Sequence, residues 1–337
     1  MNDRKEDTKR NFYLLIVLVI TIWIISWIIT DNLYCSVTDR GAFGDKFGFV
    51  NSLFSGLALA GIIYSIFLQQ KELSLQRTEL KETKEEFKDQ NFQTTFFNLL
   101  KTQNQIADDI STTISDFKNY SQQTNRQVVG RHFFNQSRFE LQRIDKALSH
   151  SSFLEYRKWE PQGEWDEPQS NEEAQDLTRI TKLAYSFKYY KIDESTWKNS
   201  ADLSPLKKAE RLYAIFFNKF HFVTGHYFRH IYHILLFLEK TEEEKLKKAS
   251  LIKDIEEKKE EIEKIKSEFK QFAEFIQAQM STPELFLLFY NSLSFPKLQR
   301  LLIKYNTLEN LSKEDLLSEE HNVVEGINLK SRKRLLE

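Results

Sequence analysis

The residues best equipped for chemistry lie in one short stretch, GHYFRHIYHIL at 225–235, which brings His226, Arg229, His230 and His233 onto neighbouring turns. At ~100° per residue, His226 and His233 fall within ~20° of each other and His230 ~40° to ~60° away, so the imidazoles share a polar flank beside Tyr227 and Ile231. Three uses of such a cluster compete. Imidazoles at i, i+4 and i+7 ligate a metal ion only where they converge, and no carboxylate stands beside them; the reading for metal is none. An Arg–His pair cleaves RNA when histidine moves the proton of the 2′-hydroxyl and arginine stabilises the phosphorane charge. The third use is structural: hydrogen bonding within a helical core and to the loop before it.

The ribonuclease reading has some support in spacing. HEPN-type ribonucleases carry R-x(4–6)-H on an all-helical fold, and this chain offers that spacing at Arg126 to His132 and at Arg143 to His150. Arg229 to His233 is one residue too short, and Arg131 and His132 complete the catalytic candidates. Phosphate loops (G-x-x-x-x-G-K-[ST]), H-E-x-x-H, G-x-S-x-G and paired-cysteine zinc motifs are absent from the sequence. No cofactor is implied. A net charge of -1, from 48 Lys+Arg against 49 Asp+Glu, gives no global basic field for nucleic acid. The single cysteine, Cys35, rules out an intramolecular disulfide framework.

These candidates must be positioned by helices. After residue 61 glycine occurs only at Gly130, Gly163, Gly225 and Gly326, a composition that favours long helices over sheets. The class expected is all-α: two N-terminal transmembrane helices, then a cytoplasmic helical domain with coiled-coil-like arms. Residues 1–11 form a polar cytoplasmic N-terminus and 12–30 a first span. Residues 31–46 are a short outside loop, and 47–68 a second, charge-free span long enough for a ~30 Å hydrocarbon core. Lys and Arg flank both spans on one side, which puts both termini in the cytoplasm of a multi-pass inner-membrane protein. Ser52, Gly56 and Ala60 give the second span a flat face for another helix.

From Gln69 to Asn91 the chain continues as a charged helical stalk, with Ile66, Leu73, Leu80 and Phe87 seven residues apart. This is half of a coiled-coil pattern, and it suits equally a solvated helix resting on its own domain and a parallel stalk between protomers. The globular part runs over 92–315. In it Phe96, Leu99, Leu100 and Gln103 share a helix face, residues 108–131 are polar and turn-prone, and HFFNQSRFELQRIDKAL resumes helical spacing. Trp159 and Trp165 lie in a loop with Pro161 and Pro168. A stripe through Phe216, Phe220, Val223, Tyr227, Ile231, Ile234 and Leu238 reads as core, and 242–278 as a charged helical arm. Ser281 opens a helix with a capping signature, S-T-P-E, whose body LFLLFYNSL is apolar nearly all round. Residues 316–337 read as a flexible tail.

Five segments, GDKFGFVNSLFSGLALAGIIYSIFLQQKEL, FFNLLKTQN, GRHFF, GHYFRHIYHIL and QMSTPELFLLFYNSLS, occur in this order between residues 44 and 294. Together they resemble the phage abortive-infection family typified by lactococcal AbiC, over about residues 44–311. The resemblance implies a bacterial, membrane-anchored anti-phage protein that stops productive infection at the expense of the infected cell. It hands over no established catalytic residue, so motif positions carry over as candidates only: Gly130, Arg131, Tyr227, Phe228, Arg229, His230, Tyr290 and Asn291. With His226, the residues from 226 to 230 and the Tyr290/Asn291 pair become candidates for binding a trigger. The partners expected are the lipid bilayer, further copies of the chain, a phage protein or nucleic acid as trigger, and another defence protein. The leading expectation is a sensor that disables the host by perturbing its membrane; the alternative is a membrane-tethered, metal-independent HEPN-type ribonuclease.

Overall fold

A computed structural model describes residues 17–29, 32, 37–150, 170–200, 202–327 and 329–335. The polar N-terminus, the first residues of the span read at 12–30, Cys35 and the Trp159/Trp165 loop lie outside these residues. The described residues are mostly helical. It divides into two compact units, Met1–Asp89 and Gln90–Glu337.

The first unit holds α1, Val17–Ile29, and most of α2, Val37–Asp108. Trp23 and Trp27, one turn apart on α1, set their rings 5.9 Å apart. α2 is 72 residues long. No proline interrupts it, and a Cβ at Gly41, Gly44, Gly48, Gly56 or Gly61 would meet nothing within 4 Å, so its glycines do not mark turns. Helix therefore extends back to Val37, through much of the segment read as a loop at 31–46. Every residue from 51 to 91 is exposed, including residues 51–68 of the charge-free stretch and the four heptad positions. α2 is the one helix among the described residues long and apolar enough to cross a membrane; α1 is apolar but shorter.

The second unit begins on the last turns of α2, where Phe92, Phe96, Leu100 and Ala107 repeat at helical steps and are buried. Their partners are aromatic. Phe92 stacks on Phe237 at 5.4 Å and meets Phe272 edge-on at 5.0 Å, and Phe96 also meets Phe272 edge-on at 5.0 Å. Each such ring contributes roughly 1.5–3 kcal/mol by leaving water.

An antiparallel hairpin follows, β1 Ser111–Phe117 and β2 Gln123–Val129, in register from Ser111↔Val129 to Phe117↔Gln123. It occupies the region read as turn-prone and is the only sheet among the described residues. Ile114 and Val128 bury the inner face, while Asn119 Oδ1 closes the turn by accepting from the backbone N–H of Gln122 at 2.8 Å. Gly130 ends the hairpin at φ +59°, and a Cβ there would sit 3.3 Å from the Asp108 carbonyl oxygen. The left-handed backbone favours glycine here, and a side chain would in addition crowd that carbonyl.

α3 is His132–Leu148, α4 Asn171–Tyr189, α5 Glu194–Lys198 and α6 Pro205–Ala249. The stripe read along α6 is its core face, with Phe216, Phe220, Tyr227, Ile231, Ile234 and Leu238 buried and Val223 partly so. The charged arm is a helical hairpin: α6 turns at residues 250–254 into α7, Ile255–Ala278, whose start Asp254 caps by accepting from Glu257 N–H at 2.9 Å. Ile265, Phe269, Phe272 and Ile276 are buried, while Ile255 is exposed beyond the packed part.

α8, Thr282–Ser294, has the predicted capping box at Ser281 and Glu284 and buries ten consecutive residues from Glu284 to Leu293. α9 is Pro296–Lys304. Arg300 donates to both oxygens of the buried Glu239 at 2.7 Å each, and Lys304 reaches Glu242 at 2.7 Å, tying α9 to α6.

The tail read as flexible is instead packed over most of its length. Leu316, Ile327 and Leu329 are buried, Lys313 N–H donates to the Lys330 carbonyl at 3.1 Å, and Arg332 pairs with Asp315 at 2.7 Å. The cause is anchoring by scattered apolar residues and by Tyr290, whose hydroxyl accepts from Leu317 N–H at 2.9 Å and lies 2.7 Å from His321 Nδ1.

Candidate functional site

Segments far apart in sequence meet at Arg131. Gly130 turns the chain so that Arg131, just before α3, faces both the end of α2 and the start of α8. Its Nη2 donates to Asn104 Oδ1 at 2.7 Å and its Nε lies 3.5 Å from the Asp108 carboxylate, both on α2. Its Nη1 donates to Glu284 Oε2 and to the Gln279 carbonyl oxygen, each at 3.1 Å. Asn104 also donates to Gln279 Oε1 at 2.7 Å.

Glu284 is the buried centre of this node. Oε2 accepts from Ser281 N–H at 2.8 Å and Ser281 Oγ at 2.6 Å as well as from Arg131, and Oε1 accepts from the Tyr227 hydroxyl at 2.9 Å. Four donors thus converge on the two carboxylate oxygens, all of them from this chain. Burial, and next the charge of Glu284, push the Tyr227 hydroxyl well above its ordinary value, so it remains a donor. The geometry holds elements together; it does not resemble an acid–base pair.

His230 adjoins the node from α6. Its Nδ1 lies 2.8 Å from Oε1 of the buried Gln103 on α2 and donates to it. Burial, then the neighbouring His226 and His233, lower its pKa and favour the neutral imidazole. His226 and His233 are exposed, and the His226 and His230 rings are 6.5 Å apart. Among the described residues no three His, Cys, Asp or Glu side chains are grouped as a metal site.

The other candidates scatter. Arg229 and His132 are exposed. Tyr227, Phe228, Tyr290 and Asn291 are buried in the core, where a trigger reaches them only if helices move. Asn291 donates to the Tyr213 hydroxyl at 2.5 Å, while its Oδ1 is buried without a partner. Arg126 bonds Gln136, and Arg143 is tied up by the buried Glu140 at 3.4 Å and the Ser115 carbonyl oxygen at 3.2 Å. Ser52, Gly56 and Ala60 all lie on the exposed part of α2.

Sequence reading did not single out Asn104 or Glu284 as site residues. Glu284 looked like a helix cap and is one; its second role needs Arg131 and Tyr227 brought to it from other elements. Gln103 did carry a signal, an amide on a face otherwise made of Phe96, Leu100 and Ala107.

No curated protein and no solved structure matches the chain. Residues 219–316, which include Tyr227, His230 and Glu284 of the node, match the family model described as "Putative phage abortive infection protein".

Proposed function

We propose that this protein is a membrane-anchored abortive-infection protein in which the helical unit responds to infection, α2 carries the response, and the host is disabled by perturbation of its membrane. The observation that carries this reading is the continuity of α2. One unbroken helix includes a charge-free stretch of membrane length and ends on the Arg131–Glu284 node. The family match over 219–316 supplies the anti-phage setting.

A trigger arriving at the exposed Arg229 and His226 flank, a phage protein or nucleic acid, would alter what His230 and Tyr227 hold from beneath. Such a trigger acts only if it binds the rearranged state more tightly than the resting one. The node is suited to two discrete arrangements, because a buried carboxylate that loses Arg131 is left with an uncompensated charge, which disfavours intermediate positions. The membrane-facing helices of several copies would then repack and leak.

The test is a potential-sensitive dye and total RNA measured in the same infected culture. Loss of potential with intact RNA is the expected outcome. A maintained potential in protein-expressing cells that stop growing on infection contradicts the leak, and new RNA cleavage that Arg229→Ala or His132→Ala abolishes would replace it with the ribonuclease reading.

A further inference from the structure

We propose that residues 66–90 of α2 pair with the same residues of a second copy of this chain as a parallel, in-register coiled coil. Ile66, Leu73, Leu80 and Phe87 are 48%, 53%, 70% and 61% exposed and form an apolar stripe at seven-residue steps along the first unit's part of α2. When these residues take the a position of the heptad, the g positions are Glu72, Glu79 and Glu86, and the e positions include Arg77 and Lys84.

That charge order selects an orientation. In a parallel pair each g residue faces the e residue of the following heptad on the partner, which sets Glu72 against Arg77 and Glu79 against Lys84, from both sides. In an antiparallel pair g faces g and e faces e, which opposes Glu to Glu and Arg to Lys. A slip of one heptad leaves Ile66 and Phe87 without matching layers and sets Glu79 against Asn91. Glu72, Arg77, Glu79 and Lys84 are all exposed and enter no ion pair among the described residues, so the pairing breaks nothing already formed.

The seam is deliberately thin in apolar content. The d positions are Gln69, Gln76, Thr83 and Gln90, which remove roughly half of the apolar layers an ordinary coiled coil buries. Pairing of free helices would be weak, and confinement of two copies in one membrane raises their effective concentration. The strength of the pair thus rests on the membrane reading above, while its orientation does not. Both copies entering the bilayer from one side also run parallel, as the charges require.

Cysteine cross-linking of the full chain in native membranes tests this, on a Cys35→Ser background. Gln76→Cys and Leu80→Cys, on the seam, should form disulfide-linked dimers under mild oxidation, several-fold more than Thr78→Cys on the outer face. Reversal by Glu72→Lys with Glu79→Lys should cut the Gln76→Cys cross-link several-fold, and added Arg77→Glu with Lys84→Glu should restore it. Equal cross-linking at 78, indifference to charge reversal, or preferential linkage of co-expressed Gln69→Cys and Phe87→Cys chains, the mark of antiparallel pairing, overturns the proposal. Sedimentation of the same samples reads anchoring separately. Chains that sediment with membranes but do not cross-link overturn pairing alone, and chains that cross-link without sedimenting uphold pairing while contradicting the anchor.

Discussion

Two parts of α2 bear phenylalanine and treat it oppositely. Phe87 is 61% exposed and Phe96 is 0% exposed, nine residues further along the same helix. The difference lies in density. Around Phe96 apolar residues recur every three to four positions, at Phe92, Leu99 and Leu100, which makes a face wide enough to dock on other helices. Around Phe87 they recur every seven, a seam only wide enough for one more helix. A single helix can therefore contain a segment finished by its own chain and a segment left open for another.

The largest effect that separates the two should come from truncating each ring. Phe96→Ala should cost about 3–5 kcal/mol of unfolding free energy, from lost transfer and an unfilled cavity. Phe87→Ala should stay within ~0.5 kcal/mol. Urea denaturation of the detergent-solubilised chain, at dilutions where it is monomeric, measures both, and comparable losses there would mean that the stalk is packed against its own chain.

Next in size is the node at the end of the docked segment. Arg131→Ala strips a donor from the buried Glu284 and should cost about 1–3 kcal/mol. Arg131→Lys should recover little, because an ammonium cannot serve Asn104 and Glu284 through a planar fork. Full rescue by lysine, in the same denaturation assay, would reduce Arg131 to a simple charge.

The pH dependence should be smaller and confined to the second unit. Hydrogen bonds from Arg300, followed by those from Lys304, hold Glu239 at about 2 against an ordinary value of 4.5. The folded pKa is the lower one, so the associated stability is fully present above 4.5 and is lost as pH falls from there towards 2. His230 is also lowered, from 6.5, so its contribution is present above 6.5 and declines below it. Titrations of the urea midpoint should show the first decline flattened in Arg300→Gln and the second in His230→Gln. Unchanged slopes would remove these groups as the cause.

Much of this architecture was legible because strong periodic signals dominate it. The α6 stripe, the start of α3 and the Ser281/Glu284 capping box are local patterns that tertiary contacts reinforce. The hairpin was not legible: STTISDF and QTNRQVV bury one residue each, Ile114 and Val128, too few to display an alternation. The packed tail escaped notice because Leu316, Ile327 and Leu329 are isolated among polar residues, each anchored by something distant. The node was half visible. Arg131, Tyr227 and His230 stood out by type, whereas Glu284 carried only the mark of a cap until two other elements brought Arg131 and Tyr227 to it.

The smallest effect on stability belongs to Gly56→Leu, whose added Cβ meets nothing within 4 Å. Helix propensity even favours the change by up to ~1 kcal/mol. That makes it the cleanest probe of the central claim, that α2 carries the response to the membrane through close helix contact. Membrane potential should be followed through infection in cells expressing the wild-type chain or Gly56→Leu at equal membrane levels. The account predicts depolarisation with the former and a maintained potential, with unimpeded phage growth, for the latter. Equal depolarisation by both proteins would contradict it and leave the charge-free stretch of α2 without a part in the response.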